Sequence, residues 1–171
     1  PFKSVNMGLS YRSKLKMPLN EGTASFSGIP PALNNVFPES AGFNPSLPLP
    51  AVLSAGVKFH PDSAQKLLIA FDLIRSYWSS YDTLRFDFNN ETTPDSKVTK
   101  DWRNTMTCRL GFAYKIKSNF TIRAGTYYDE TPIRDGRVSP ETPDNNTMGF
   151  TLGAGLDFGK HYTLDVSWLH N

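Results

Sequence analysis

Seven stretches of this chain place apolar side chains at every second residue, with small or polar ones between them. That spacing builds a two-faced β-strand and no helix. Val5, Met7, Leu9 and Tyr11 open the pattern, and Ala51, Leu53, Ala55, Val57 and Phe59 repeat it, with Ser54, Gly56 and Lys58 on the other face. Residues 67–76 continue it, setting Leu67, Ile69, Phe71 and Leu73 against Ala70, Asp72 and Ser76. The remaining four stretches are 105–114, 120–128, 148–158 and 162–168, in which Thr105, Thr107, Arg109, Gly111, Arg123, Gly125, Thr151, Gly153, Gly155 and Asp165 occupy the non-apolar face. The expectation is an all-β fold made of seven antiparallel strands.

The connections alternate in length. Short turns are expected around 60–65, 117–119 and 159–161, and long loops around 17–49, 83–101 and 130–146. All short turns then lie at one end of the sheet and all long loops at the other. This is the asymmetry of outer-membrane barrels, with short periplasmic turns and long extracellular loops. Proline cannot donate to a strand ladder. All 13 prolines fall in these connections or at strand edges. Six of them lie between Pro30 and Pro50, which marks 17–49 as the longest irregular stretch. The whole of 1–171 reads as one partial barrel domain.

A soluble sandwich or a lipocalin would also alternate, so other features have to separate them from a membrane barrel. The non-apolar faces are rich in Gly, Thr, Ser and Ala and poor in Lys and Glu, which suits a crowded lumen better than a solvated surface. Aromatic residues make up 13% of the chain. By turn length, Tyr77, Trp78, Tyr81, Trp102, Tyr128 and Trp168 fall at the long-loop end, and Phe59, Tyr114, Phe120, Phe158 and Tyr162 at the short-turn end, as two interfacial belts would. The longest purely apolar run is Leu67 to Phe71, far short of the roughly 18 to 20 residues of a spanning helix. Bacterial single-chain barrels have an even strand count, and an open sheet in lipid leaves backbone groups unpaired. Further strands are therefore expected before Pro1 and after Asn171, or from a partner. The start at Pro1 carries no signal peptide, which is expected to be removed or to lie outside this segment.

Net charge is +2 with scattered basic residues, which gives no footprint for nucleic acid. His60, His161 and His170 lack metal-ligand spacing, so no metal or other cofactor is expected. No nucleophile stands beside a base, so no enzyme is expected. The single cysteine, Cys108, lies on the apolar face and reads as an inert small residue.

Several segments, in order, resemble the FadL-type family of outer-membrane transporters for fatty acids and other hydrophobic compounds. Gly8-Leu9-Ser10-Tyr11-Arg12-Ser13-Lys14-Leu15-Lys16 is similar to one of its strands, and Leu47-Pro48-Leu49-Pro50-Ala51 to the strand entry after its long loop. Tyr77-Trp78-Ser79-Ser80-Tyr81, Arg109-Leu110-Gly111 with Tyr114, and Phe120 to Gly125 followed by Asp129 to Ile133 resemble three further stretches. The resemblance implies a transmembrane barrel of roughly 14 strands in the outer membrane of a Gram-negative bacterium, of which about seven are present here. It implies passive uptake of fatty acids or similar molecules, with membrane lipid around the wall. FadL-like barrels that serve as structural or shuttle partners in protein secretion offer the alternative function.

Two groups of residues are candidate substrate contacts. Arg109 and Arg123 lie on the lumen face of adjacent strands, where a guanidinium can hold a carboxylate, although Asp72, Asp157 and Asp165 share that face and are structural partners for them. Phe26, Ile29, Phe37 and Phe43 give the 17–49 loop an unusual apolar load, expected to dock on the barrel mouth as a lid or landing site.

Overall fold

A computed structural model of the chain describes residues 5–18, 22–44, 46–81, 83–86, 88, 93–140, 142–159 and 161–171. The chain runs β1 (Val5–Arg12), β2 (Leu15–Pro18), β3 (Gly22–Ser25), β4 (Ser40–Phe43), β5 (Ser46–Leu49), β6 (Val52–Phe59), β7 (Leu67–Ser76), β8 (Thr83–Phe86), β9 (Ser96–Thr99), β10 (Thr105–Lys117), β11 (Phe120–Asp129), β12 (Thr147–Phe158) and β13 (Tyr162–His170). Seven of these, in the order β1-β6-β7-β10-β11-β12-β13, form one antiparallel meander. They correspond to the seven alternating stretches of the sequence. The result is an open barrel wall with β1 and β13 as its edges.

Three short connections close one end of this wall. At residues 60–66 the Asp62 carboxylate accepts the backbone N–H of Lys66 at 2.8 Å and of Leu67 at 2.9 Å, so the carboxyl is held below its usual pKa by those amides. Gly159 turns the chain between β12 and β13 with φ of 66°, a left-handed conformation that favours glycine. A register shift between Lys115 and Lys117 marks the approach to the β10–β11 turn.

At the other end the structure corrects the expectation of a long irregular loop. Residues 15–49 form an arm in which Leu15–Pro18 pairs with Ser46–Leu49 and Gly22–Ser25 with Ser40–Phe43. This arm continues the β1–β6 hairpin outward, and the β8–β9 ribbon continues the β7–β10 hairpin in the same way. Leu15 and Met17 alternate as Leu47 and Leu49 do, and that short period-two signal was masked by the prolines around it. Pro48 is accommodated because a two-stranded ribbon leaves one side of each strand unpaired.

The wall has no hydrophobic core. Among the described residues the buried apolar side chains are Ala41, Tyr81 and Ile133, all of them outside the seven-stranded sheet. A soluble sandwich of this length would hide one face of every strand. Here no strand of the sheet buries its apolar face. In β12 Phe150 and Leu152 are 50% and 57% exposed, while Gly149 and Gly155 on the opposite face are buried. The apolar side of such a wall is stable only against lipid. Leu152→Arg should therefore cost about 2–4 kcal/mol in the stability of the membrane-inserted protein, measured by urea unfolding in lipid vesicles.

Candidate functional site

The strand register decides which lumen side chains meet. Arg109 on β10 stands opposite Asp72 of β7 and Tyr127 of β11, whereas Arg123 stands opposite Ala113. Four residues of strand separate the two arginines, roughly 13 Å at the rise of a strand. They line the same open cleft of about 430 Å³ with Asp72 and Tyr127, at positions offset along the wall.

Their electrostatic situations differ. Arg123 donates from Nη1 to Asp165 Oδ1 at 2.7 Å, a structural pair of the kind anticipated from the sequence. The pair lies flat over Gly155, where a Cβ would collide with both side chains. Both partners are about half exposed, so screening leaves their mutual attraction modest. Arg109 has no ion pair or side-chain hydrogen bond among the described residues. Its cross-strand neighbour Asp72 turns its carboxylate over Gly56 on the β6 side instead. The Arg109 guanidinium is thus the open cation of this cleft.

Phe26, Ile29, Phe37 and Phe43 are brought together with a residue that the sequence reading missed. Phe26 meets Phe37 edge-on with ring centres 5.5 Å apart, and Phe88, from the connection between β8 and β9, lies 6.1 Å from Phe26 and 6.0 Å from Phe43. A β-bridge joins Phe43 to Phe88, and Thr93 donates its hydroxyl to the Val36 carbonyl at 2.8 Å. Ile29 joins Phe26 and Phe37 in lining a concave surface on the arm. The arm thus docks on the second long connection, where docking on the barrel mouth was expected. The Phe86-Asp87-Phe88 alternation was the signal available for this contact.

A second aromatic group corrects the assignment of a belt. Tyr81 stacks on Trp102 at 4.5 Å, Trp78 packs edge-on to Trp102 at 5.2 Å, and Tyr81 is only 7% exposed. Burial raises the Tyr81 pKa. These three rings knit the long-loop end together, while Tyr128 and Trp168 remain exposed on the outward face. No group of three or more His, Cys, Asp or Glu among the described residues is arranged to hold a metal.

The sequence profile of the outer membrane protein transport proteins (OMPP1/FadL/TodX) matches residues 1–170. The chain belongs to the FadL family. Outer membrane protein P1 of Haemophilus influenzae is 26% identical over 170 residues, covering 99% of this chain and 35% of that protein. The long-chain fatty acid transport protein of Escherichia coli O6:H1 is 25% identical over 178 residues, covering 98% of this chain and 39% of its own length. A FadL homologue of Pseudomonas aeruginosa shares the fold at a TM-score of 0.83 and 23% identity, over 99% of this chain and 40% of that one. The chain thus spans well under half the length of these relatives. As a member of the FadL family it is a transmembrane β-barrel segment of the Gram-negative outer membrane.

Phe88 joins the two arms through two ring contacts, each worth about 0.5–1.5 kcal/mol, beside the Thr93–Val36 hydrogen bond. Phe88→Ser should release the arm, seen as faster limited proteolysis within residues 26–39 while the barrel keeps its heat-modifiable gel mobility.

Proposed function

We propose that the protein carrying this chain is an outer-membrane channel for passive uptake of long-chain fatty acids, captured at the long-loop end and passed along the lumen. Family membership supports the channel, and the unpaired Arg109 guanidinium supports an anionic head group over a neutral hydrocarbon. A guanidinium facing a narrow, small-residue wall binds a carboxylate through charge-assisted hydrogen bonds. The phenylalanine cluster of the two arms supplies apolar surface for the acyl chain, with Phe26, Ile29, Phe37 and Phe43 as first contacts. Arg123, held by Asp165, serves the wall and supports the substrate path without binding the head group itself. Membrane lipid covers the apolar exterior. No cofactor or energy source is needed for movement down a gradient.

Arg109→Gln keeps a polar side chain with N–H donors but is shorter and loses the charge. Uptake of oleate by cells expressing the full-length variant should fall about tenfold, the size of a lost charge-assisted bond of about 1.5 kcal/mol. Uptake of a neutral probe such as toluene should be unchanged. Equal loss for both, or for neither, would remove Arg109 from the proposed path.

A further inference from the structure

Asp72 stands between two clefts of the lumen face. On β7 it is directly opposite Gly56 of β6 on one side and Arg109 of β10 on the other. Directly opposed residues of antiparallel strands have Cβ atoms about 4.5–5.5 Å apart, so a turn about its own side-chain bonds carries the carboxylate to either neighbour. It is turned toward β6, where it lies over Gly56 and lines a cleft of about 570 Å³ with Asn6 and Lys58. A Cβ on Gly56 would collide with Asp72 Oδ1. The backbone of Gly56 is not left-handed, so the strand itself does not require glycine there. Among the described residues neither Asp72 nor Arg109 has an ion-pair partner. The other lumen pair makes this unexpected. Asp165 on β13 reaches Arg123 on β11 across the full width of β12, whereas Asp72 and Arg109, on neighbouring strands and directly opposed, stay apart.

We infer that Gly56 is a positioning residue that gives Asp72 a resting place over β6 and thereby keeps the Arg109 guanidinium free for an anionic head group. A carboxylate beside a guanidinium inside a barrel ordinarily pairs with it. Asp72 and a substrate carboxylate are therefore alternative occupants of the same donors. With the space over Gly56 filled, Asp72 turns to the β10 side and neutralises Arg109 as Asp165 neutralises Arg123. Lys58, two residues along β6 from Gly56 on the same face, places a positive charge in the cleft that Asp72 occupies and favours the resting orientation. This inference rests on the reading of Arg109 as the head-group contact and adds the residue that keeps that contact available.

The test uses the full-length protein, with oleate and toluene uptake by expressing cells as the charged and neutral readouts and a crystal structure of the Gly56→Ala variant. That substitution adds one methyl group and should bring the Asp72 carboxylate to within about 4 Å of the Arg109 guanidinium. The half-saturating oleate concentration should rise about fivefold, which is about 1 kcal/mol at about 1.4 kcal/mol per tenfold, while toluene uptake stays the same. Adding Asp72→Asn to Gly56→Ala removes the competing charge and should return oleate to within about twofold of the wild type. Gly8→Ala is the control: Gly8 lies beside Gly56 in the same row, a Cβ there meets nothing, and uptake should match the wild type. Asp72 remaining apart from Arg109 in the Gly56→Ala structure, an oleate defect that Asp72→Asn does not relieve, or equal loss of oleate and toluene would each overturn the inference. If Arg109→Gln lowers oleate uptake and Gly56→Ala does not, the inference fails and the head-group reading stands. An Asp72–Arg109 pair in the Gly56→Ala structure, with oleate uptake unchanged both there and in Arg109→Gln, would support the positioning role of Gly56 and overturn the head-group reading.

Discussion

Main-chain hydrogen bonding between neighbouring strands is the interaction on which everything else in this chain depends. The seven-stranded wall has no packed interior behind it, so the ladder from β1 to β13 takes the place that side-chain packing holds in a soluble domain. In hydrocarbon an unpaired amide costs several kcal/mol, and the meander supplies each interior strand with a partner on both sides. Side chains are then released from the task of building a core. One face is free to be apolar toward lipid, and the other is free to be sculpted for a path.

That second face is shaped by what glycine permits. At Gly155 the Arg123–Asp165 pair lies against the backbone, and at Gly149 the Tyr127 ring does, its hydroxyl reaching Asn171 at 2.5 Å. Arg123, Asp165 and Tyr127 are thereby laid along the wall. Asp72, laid over Gly56, is turned away from Arg109 by the same device. Two missing Cβ atoms, at Gly155 and Gly56, thus accompany the neutralised and the open arginine, linking a sequence-level feature to the charge pattern of the cleft.

The strand wall was legible because period-two patterning is a local property: each of the seven stretches carries its own two faces, and the prolines mark where they stop. The Arg123–Asp165 pair was legible in kind, since both residues could be placed on the lumen face. Partner choice was not, because register between strands distant in sequence decides it; Arg109 and Arg123 look equivalent on paper and are four residues apart along the wall. The ribbons within 15–49 and the bridge from Phe43 to Phe88 were hidden for a related reason. They join segments separated by long stretches of chain, where proline content argued for irregular loops and no short motif identifies the contact. Trp78, Tyr81 and Trp102 read as interfacial aromatics until their mutual stacking showed them facing one another.

The account stands on the assignment of faces, and single spin labels along β12 test it most directly. With Cys108 replaced by serine, cysteines placed one at a time from residue 148 to 156 in the full-length protein in lipid vesicles report collision with oxygen, concentrated in lipid, and with a water-soluble nickel chelate. The predicted result is a strict two-residue alternation, with Met148, Phe150, Leu152 and Leu156 positions accessible to oxygen and Gly149, Thr151, Gly153 and Gly155 positions accessible to the chelate. An inverted phase, or accessibility to the chelate at every position, would contradict it.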